Sequence, residues 1–165
     1  MSKLFLLRHA HAGWAQPGMR DAERPLDDAG RAEAIETGRL MQEAGHAAAV
    51  TLCSTAMRTR ETLLGIKTGG AQAGREVFVD ALYQGGVDDY LAAIGEHGID
   101  TPLLLIGHNP VMHDLAQVLC NSGEQDAMDR LHTGFPTSGL AVIRISGAPG
   151  PLSSGSGFLE AFLKP

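Results

Sequence analysis

The stretch Lys3-Leu4-Phe5-Leu6-Leu7-Arg8-His9 decides how this chain folds. Its four consecutive apolar residues are typical of a β-strand that is buried on both faces, as strands of parallel sheets are. A second run of this kind covers residues 103–106 and ends just before Gly107 and His108. Parallel strands need long crossover connections, which are usually helical. The two runs therefore predict an α/β fold.

The segments between and after these runs complete the pattern. Further strands are predicted at residues 50–53, 77–79 and 140–145. Helices are predicted at residues 27 or 28 to 44, 57–65, 87–96 and 110–120, the last with Asn109 as its cap and Pro110 at its first position. Residues 13–25 are predicted to form a loop, residues 147–157 a flexible segment, and residues 158–163 an edge strand or a short helix. Alternating strands and helices predict one domain, residues 1–165, with a mostly parallel central sheet flanked by helices in a sandwich.

Composition limits the classes of function. A length of 165 residues fits one domain, and 44% apolar residues with 19% charged residues describe a globular protein. The net charge of -6 argues against a nucleic-acid partner, because binding to nucleic acid depends on neutralising phosphates. It also argues against binding to a membrane surface through a basic face of the protein. The N-terminal apolar run is too short for a signal peptide, and no run is long enough to span a membrane, so a cytoplasmic location is expected.

Two features of the composition bear on chemistry. Lys3, Lys67 and Lys164 are the only lysines, and the other ten of the 13 basic residues are arginines, which bind phosphate in a bidentate manner. Cys53 and Cys120 lie in no CxxC or CxxH pattern, so neither a disulfide framework nor a zinc module is predicted.

Candidate site residues follow three of the predicted strands. His9 and His108 each come directly after a buried strand, and ligands of open α/β sheets bind at the carboxyl ends of strands. Arg8 precedes His9, and Arg58 enters the helix that follows the strand at residues 50–53. Arg24 could reach the same place from the loop. Guanidinium groups match phosphate oxygens, so this set predicts an electropositive pocket for a phosphoryl group. For Arg8 and His9 to serve one site, the chain must leave the strand at about Arg8.

Four blocks of sequence, taken in order, resemble the histidine phosphatase superfamily. The first, Leu7-Arg8-His9-Ala10, is similar to the superfamily's Arg-His-Gly signature. The other three are Arg24-Pro25-Leu26 with Gly30-Arg31-Ala32-Glu33-Ala34, then Ser54-Thr55-Ala56-Met57-Arg58-Thr59-Arg60-Glu61-Thr62, and Ile106-Gly107-His108-Asn109-Pro110. The short length and the spacing look most like the SixA-type phosphohistidine phosphatases. The resemblance implies a phosphoglycerate-mutase-like fold.

The resemblance also implies roles for residues. His9 would be the nucleophile that becomes phosphorylated, and Arg8, Arg58 and His108 would hold the phosphoryl oxygens. Arg24 is expected to contact the substrate because of its place in the loop, not because of the resemblance. A neutral imidazole is nucleophilic near pH 7, and a cationic His108 would add electrostatic stabilisation. Neither a metal nor another cofactor is expected. The expected substrate is a phosphohistidine in a signalling protein, with a small phosphate ester as the alternative.

Three departures from the family pattern affect this interpretation. Ala10 stands where the family has Gly, and Thr55 stands where it has Pro, which is expected to loosen the turn before Arg58. Larger members of the superfamily use a carboxylic acid as the proton donor, and this sequence does not identify one. Asp80, Asp88 and Asp89 flank the relevant region and are interpreted as surface carboxylates. A weak or missing acid suits phosphohistidine, because imidazole is a good leaving group once it is protonated.

Four other functions remain open at this point. Cys53 precedes Arg58, as in cysteine-dependent phosphatases, although the gap holds four residues where that chemistry uses five. A metallohydrolase could use His9 and His11 with His108. A non-catalytic phosphate- or phosphoprotein-binding module would keep the pocket without turnover. A mutase-like enzyme would transfer the phosphoryl group to a hydroxyl instead of water.

Overall fold

The computed structural model describes residues 2–147 and 151–165. Its seven strands within this part of the chain are β1 (Ser2–Arg8), β2 (Val50–Ser54), β3 (Arg75–Val79), β4 (Leu103–Gly107), β5 (Cys120–Gly123), β6 (Leu140–Ile145) and β7 (Gly157–Leu163). Its six α-helices there are α1 (Asp28–Glu43), α2 (Met57–Thr68), α3 (Ala81–Gln84), α4 (Val87–His97), α5 (Val111–Leu119) and α6 (Gln125–Thr133).

The seven strands form one sheet in the order β3-β2-β4-β1-β6-β7-β5. Strands β3, β2, β4 and β1 are parallel, β6 runs antiparallel to both β1 and β7, and β5 is parallel to β7. The predicted α/β class with a mostly parallel sheet is confirmed. Strand β1 lies inside the sheet, between β4 and β6, which is why its apolar run is continuous.

Helices cover both faces of the sheet, and successive residues of β1 supply the two apolar layers. Leu4 and Leu6 belong to the core that contains Tyr90 of α4 and Leu115 of α5. Phe5 and Leu7 belong to the opposite core, which receives apolar side chains from α1 and α2. These four residues of β1 are almost completely buried. The sheet is therefore sandwiched between helices, as the sequence predicted.

Some predicted elements differ in detail. Helix α5 begins at Val111 instead of Pro110, and Asn109 does not cap it, because the Asn109 amide donates to the Phe135 carbonyl (3.0 Å). Residues 157–163 form β7, which pairs on both sides and is not an edge strand. Of the predicted flexible segment, residues 148–150 lie outside the described residues.

Two short elements, β5 and α3, were not predicted because their sequences carry no clear signal. Strand β5 contains Asn, Ser and Gly, which have low strand propensity, and helix α3 is only four residues long. Across the described residues, the helices are each too short or too polar to traverse a lipid bilayer.

Candidate active site

The carboxyl ends of β1 and β4 lie side by side and bring two histidines together. Arg8 pairs with Gly107 in the sheet register, and the His9 N–H donates to the Gly107 carbonyl (3.0 Å). His9 and His108 are the next residues of the two strands, and their ring centroids are 5.3 Å apart. The parallel pairing of β1 with β4 thus creates this part of the site.

The hydrogen bonding of His9 fixes the tautomer of its ring. Nδ1 lies 2.7 Å from the Ala10 carbonyl oxygen, which can only accept, so Nδ1 donates and carries the proton. Nε2 of the neutral ring then keeps its lone pair. Burial, assisted by the nearby arginines, lowers the pKa of His9 to about 4. At neutral pH the ring is therefore uncharged, with a free nucleophilic nitrogen at Nε2.

His108 is held on two sides and is 8% exposed. Its Nε2 lies 2.8 Å from Ser54 Oγ at the end of β2, and its backbone N–H donates to Tyr90 Oη (3.1 Å). A Cβ on Gly107 would meet Tyr90 Oη at 2.5 Å, so glycine there permits this contact. Nδ1 of His108 is buried and has no hydrogen-bond partner among the described residues.

The burial of His108 affects the charge of its ring. Burial, followed by the neighbouring His9 and Arg58, lowers the pKa of His108 to about 3. The ring is therefore neutral in the unliganded protein. The physical reason is that burial removes the hydration that a charged imidazole needs, and the charge of Asp21 offsets only part of this loss.

Arg8 reaches the site because β1 ends at that residue, as the sequence required. The backbone N–H of Ser138 donates to the carbonyls of both Arg8 and His9 (3.1 Å each), which turns the chain out of the strand. Ser138 is fully buried and has φ 57°, a conformation that costs energy for a residue other than glycine. The Arg8 guanidinium donates to the Phe135 carbonyl (2.9 Å), while its buried Nε has no partner among the described residues.

Arg58 and Arg24 meet at a carboxylate that the sequence analysis did not identify. Asp21 lies in a short 3₁₀ helix (Asp21–Glu23) within the predicted loop. Its Oδ2 accepts from Arg58 (3.0 Å) and from Tyr83 Oη (2.7 Å), and its Oδ1 accepts from Arg24 (3.1 Å). The Tyr83 hydroxyl, with help from Arg24 and Arg58, holds the pKa of Asp21 far below its usual range. Asp21 is therefore ionised near neutral pH in the unliganded protein.

These groups surround one cavity of about 540 Å³, which we call the phosphoryl cavity after the group that the sequence predicts it to bind. Its lining residues are Arg8, His9, Asp21, Arg24, Arg58, Tyr83, Gln84, His108 and Asn109. All five residues selected from the sequence line it. Asp21, Tyr83, Gln84 and Asn109 were missed, although Asn109 adjoins His108 in its motif. The first three carried no signal, because only the fold brings the loop and α3 to the strand ends. With three arginines and one carboxylate, the cavity is cationic in an acidic protein.

The sequence placed three carboxylates near the region where a proton donor would lie, and all three are outside the phosphoryl cavity. Asp80, Asp88 and Asp89 are exposed and do not line the phosphoryl cavity. Asp80 accepts from the Thr55 hydroxyl (2.6 Å), and Asp89 accepts from the Gly86 N–H at the start of α4 (2.9 Å). The bond from Thr55 to Asp80 fastens the turn before Arg58, which the absence of proline had been expected to loosen.

Two of the alternative chemistries receive no support from the geometry. Cys53 is buried inside β2, and burial raises the pKa of its thiol to about 12, so it is not a thiolate at neutral pH. His11 bonds to Asp27 instead of joining His9 and His108. Among residues 2–147 and 151–165, side chains of the metal-ligating types do not gather in groups of three or more.

Comparison with known proteins points to the same family that the four sequence blocks resemble. The family model of the histidine phosphatase superfamily (branch 1) matches residues 4–77. An uncharacterised protein of Mycobacterium tuberculosis is 34% identical over 162 residues, which span 96% of this chain and 99% of that protein. The structure of a candidate phosphohistidine phosphatase SixA from Agrobacterium tumefaciens is 34% identical, with 99% of each chain covered and a TM-score of 0.82. A second SixA candidate, from Nakamurella multipartitia, is 31% identical, with 99% of this chain and 96% of that chain covered and a TM-score of 0.84.

Proposed function

Because the chain belongs to the histidine phosphatase superfamily and is a phosphatase of the SixA type, we propose that it removes phosphoryl groups from phosphohistidine in a signalling protein. The observation that carries this proposal is the state of His9. Its Nδ1 proton is tied to the Ala10 carbonyl, and its ring is neutral, so Nε2 is free to attack. The His9 ring lines the phosphoryl cavity together with Arg8, Arg24 and Arg58.

The proposed reaction has two displacements at phosphorus. In the first, Nε2 of His9 forms a bond to phosphorus while the bond between phosphorus and the substrate imidazole breaks. The departing imidazole keeps the bonding electrons and leaves neutral, because its other nitrogen was protonated before the step. In the second, water attacks phosphorus and the bond to Nε2 breaks, so that Nε2 regains its lone pair and His9 is neutral again. Both protons of the water stay with the product, which leaves as dihydrogen phosphate. Dividing the reaction in this way replaces one difficult step by two easier ones.

The cationic side chains stabilise the charge on the transferring group. Phosphoryl transfer places negative charge on three equatorial oxygens, and guanidinium groups bind such oxygens well. Arg8 and Arg58 are proposed to hold them, with Arg24 contacting the substrate at the cavity wall. A bound phosphoryl dianion would also raise the pKa of His108, because it supplies the negative charge that the free site lacks. His108 would then donate a hydrogen bond to a phosphoryl oxygen.

The carboxylate in the cavity supports the proposed choice of leaving group. In the unliganded protein Asp21 is ionised, which makes it a poor source of a proton for an alkoxide leaving group. An imidazole protonated by solvent departs without such help. These facts favour phosphohistidine over alkyl phosphate esters. In this proposal the reaction needs neither metal nor cofactor, and residues 1–165 act as one domain. The two free, buried cysteines suit the reducing cytoplasm, which we propose as its location.

Trapping the intermediate tests the proposal. Wild-type protein is incubated with a ³²P-labelled phosphohistidine peptide, quenched in base, and examined for a phosphoprotein that is stable in base and labile in acid. The label should be present in wild type and in His132→Ala, which removes an exposed histidine outside the cavity, and absent in His9→Ala. Label that persists in His9→Ala would refute the assigned nucleophile. Binding without any turnover would identify a binding module instead, and faster hydrolysis of an alkyl phosphate than of the peptide would refute the substrate class.

A further inference from the structure

The only tryptophan of the chain, Trp14, is 89% exposed. No other large apolar side chain among the described residues has so much of its surface in water. An indole offers a large apolar surface with little conformational entropy to lose, and tryptophan is enriched where proteins bind one another. The reaction proposed for the phosphoryl cavity gives Trp14 no role.

The surroundings of Trp14 continue directly from the phosphoryl cavity. A second cavity, of about 360 Å³, is lined by Trp14, Ala12 and Gly13 and also by Arg8, His9 and Arg24. The last three residues line both cavities. His9 therefore stands at the boundary between them. A substrate whose phosphorus lies at His9 has room to extend along the second cavity to the indole.

The loop that carries Trp14 is held in place at the two residues that precede the indole, Ala12 and Gly13. Ala12 forms a β-bridge with Leu26, and the Gly13 N–H donates to the Pro25 carbonyl (3.3 Å). Nε of Arg24 donates to the Gly13 carbonyl (3.0 Å), while another nitrogen of the same guanidinium bonds to Asp21. Arg24 thus joins the backbone beside Trp14 to the wall of the phosphoryl cavity. The backbone just before Trp14 is therefore held in place, and the indole extends from it into solvent a short way along the chain from His9.

We propose that Trp14 docks an apolar side chain that neighbours the phosphohistidine in a protein substrate. The proposal rests on the function proposed above and adds a partner to it. The partner is a polypeptide with Leu, Ile, Val or Met beside its phosphohistidine. A free phosphate or a small phosphate ester fills the phosphoryl cavity and leaves the indole uncovered. A polypeptide reaches both, because its backbone continues past the phosphorylated side chain in two directions.

Trp14 is its own reporter, since it is the single tryptophan. His9→Ala protein, which cannot turn the substrate over, is titrated with two short peptides phosphorylated on histidine by phosphoramidate. One has leucine on both sides of the phosphohistidine and the other has glycine. The leucine peptide should move the tryptophan emission to shorter wavelength, and the glycine peptide and inorganic phosphate should not. Calorimetry confirms that each ligand has bound. Saturating leucine peptide without an emission shift, or an equal shift with inorganic phosphate, would overturn the proposal.

Steady-state kinetics of Trp14 variants provide a second test. The matched control is Leu64→Ala, because Leu64 is 64% exposed on α2 and lines neither cavity. Trp14→Ala should lower kcat/KM for the leucine peptide about tenfold, mainly through KM, and abolish the preference over the glycine peptide. Trp14→Phe should keep most of the preference. Turnover of N-phosphoimidazole should stay unchanged in all three variants.

The remaining outcomes separate the two proposals. An equal loss on peptide and N-phosphoimidazole would show that Trp14 only supports the site, and no loss on either would also overturn the docking role. Trp14-dependent dimerisation in sedimentation experiments would assign the indole to a second copy of the chain and overturn it as well. Failure of the wild type to hydrolyse any phosphohistidine would instead refute the proposed function, and docking would then be judged on the emission shift alone.

Discussion

Both terminal nitrogens of the Arg58 guanidinium donate hydrogen bonds to Asp21. One donates to the Asp21 backbone carbonyl (2.9 Å) and the other to Oδ2 of its carboxylate (3.0 Å). The Arg58 side chain is 9% exposed, so this ion pair is shielded on the arginine side. In the free protein, a carboxylate thus holds an arginine that we propose for the phosphoryl group. An incoming phosphate meets Asp21 both as a competitor for Arg58 and as a like charge.

Replacing Asp21 by Asn should therefore tighten the binding of inorganic phosphate. The amide oxygen can still accept from Tyr83 and Arg58, but the negative charge is lost. Removing repulsion of roughly 1 kcal/mol should lower the inhibition constant of phosphate about fivefold. Competition against a phosphohistidine peptide measures it. Asp28→Asn, which removes an exposed carboxylate outside the cavity, should leave the inhibition constant unchanged. Weaker phosphate inhibition in Asp21→Asn would contradict the argument.

The pKa values of the two site histidines predict how stability depends on pH. In the unfolded chain both rings titrate near pH 6.5. In the folded protein the pKa values are about 4 for His9 and about 3 for His108. Between these limits the folded state binds fewer protons than the unfolded state, so the free energy of unfolding should fall as pH decreases from 6.5 towards 4. Urea unfolding at a series of pH values measures this dependence.

Two variants and one spectrum isolate these histidines from other groups that titrate. His9→Asn and His108→Asn should each show a flatter pH dependence of stability than His132→Ala. Nitrogen-15 correlation spectra at pH 7 should find the His9 proton on Nδ1 and none on Nε2, as the bond to Ala10 requires. A proton on Nε2 of His9 would be incompatible with its proposed role as nucleophile.

Tyr90 links the position of His108 to the stability of the core. Its buried hydroxyl donates to the Leu82 carbonyl (2.6 Å) and accepts from the His108 N–H (3.1 Å). Tyr90→Phe would leave both backbone groups without this partner, at a cost of about 2 kcal/mol and a fall in Tm of roughly 5 °C. Calorimetry measures Tm. Tyr83→Phe, at a partly exposed position, should cost less, and an equal fall in the two variants would show that burial is not the cause.

Thr37 supports the turn that releases Arg8 and His9 from β1. Its buried hydroxyl donates to the Ser138 carbonyl (2.9 Å) and accepts from the Ser138 hydroxyl (2.8 Å). Thr37→Val keeps the shape but leaves these polar groups unpaired, so stability should fall by about 2 kcal/mol and kcat should fall with it. Denaturant unfolding and peptide hydrolysis measure the two effects.

Thr51 provides the matched control for that prediction. It is equally buried, and its hydroxyl donates to the Ala73 carbonyl (2.6 Å) away from the phosphoryl cavity. Thr51→Val should lose similar stability and keep kcat. If both variants keep kcat, the turn at Ser138 does not control the placement of His9.

The sequence was most informative where one local pattern determined one local structure. Leu4 to Leu7 predicted a strand buried on both faces, because each face needed its own apolar residues. His9 and His108 could be placed at one edge because parallel strands end together. Asp21 could not be found in this way, since its role depends on a loop folding across α2 and α3. The charge of His108 was also out of reach, because it depends on burial by residues from several distant segments.

The position of β1 between β4 and β6 has a consequence for the synthesis of the protein. Strand β1, which ends at Arg8 just before His9, leaves the ribosome well before its two neighbours in the sheet, β4 and β6. Arg8 and the carbonyl of Phe135 that fixes it are 127 residues apart in the chain. Chains emerge at about 5–20 residues per second, so β1 waits several seconds without a partner. A nascent chain therefore cannot assemble the proposed catalytic centre until β6 has emerged. Chains that stop before β6 should be inactive and should depend on chaperones to cover β1.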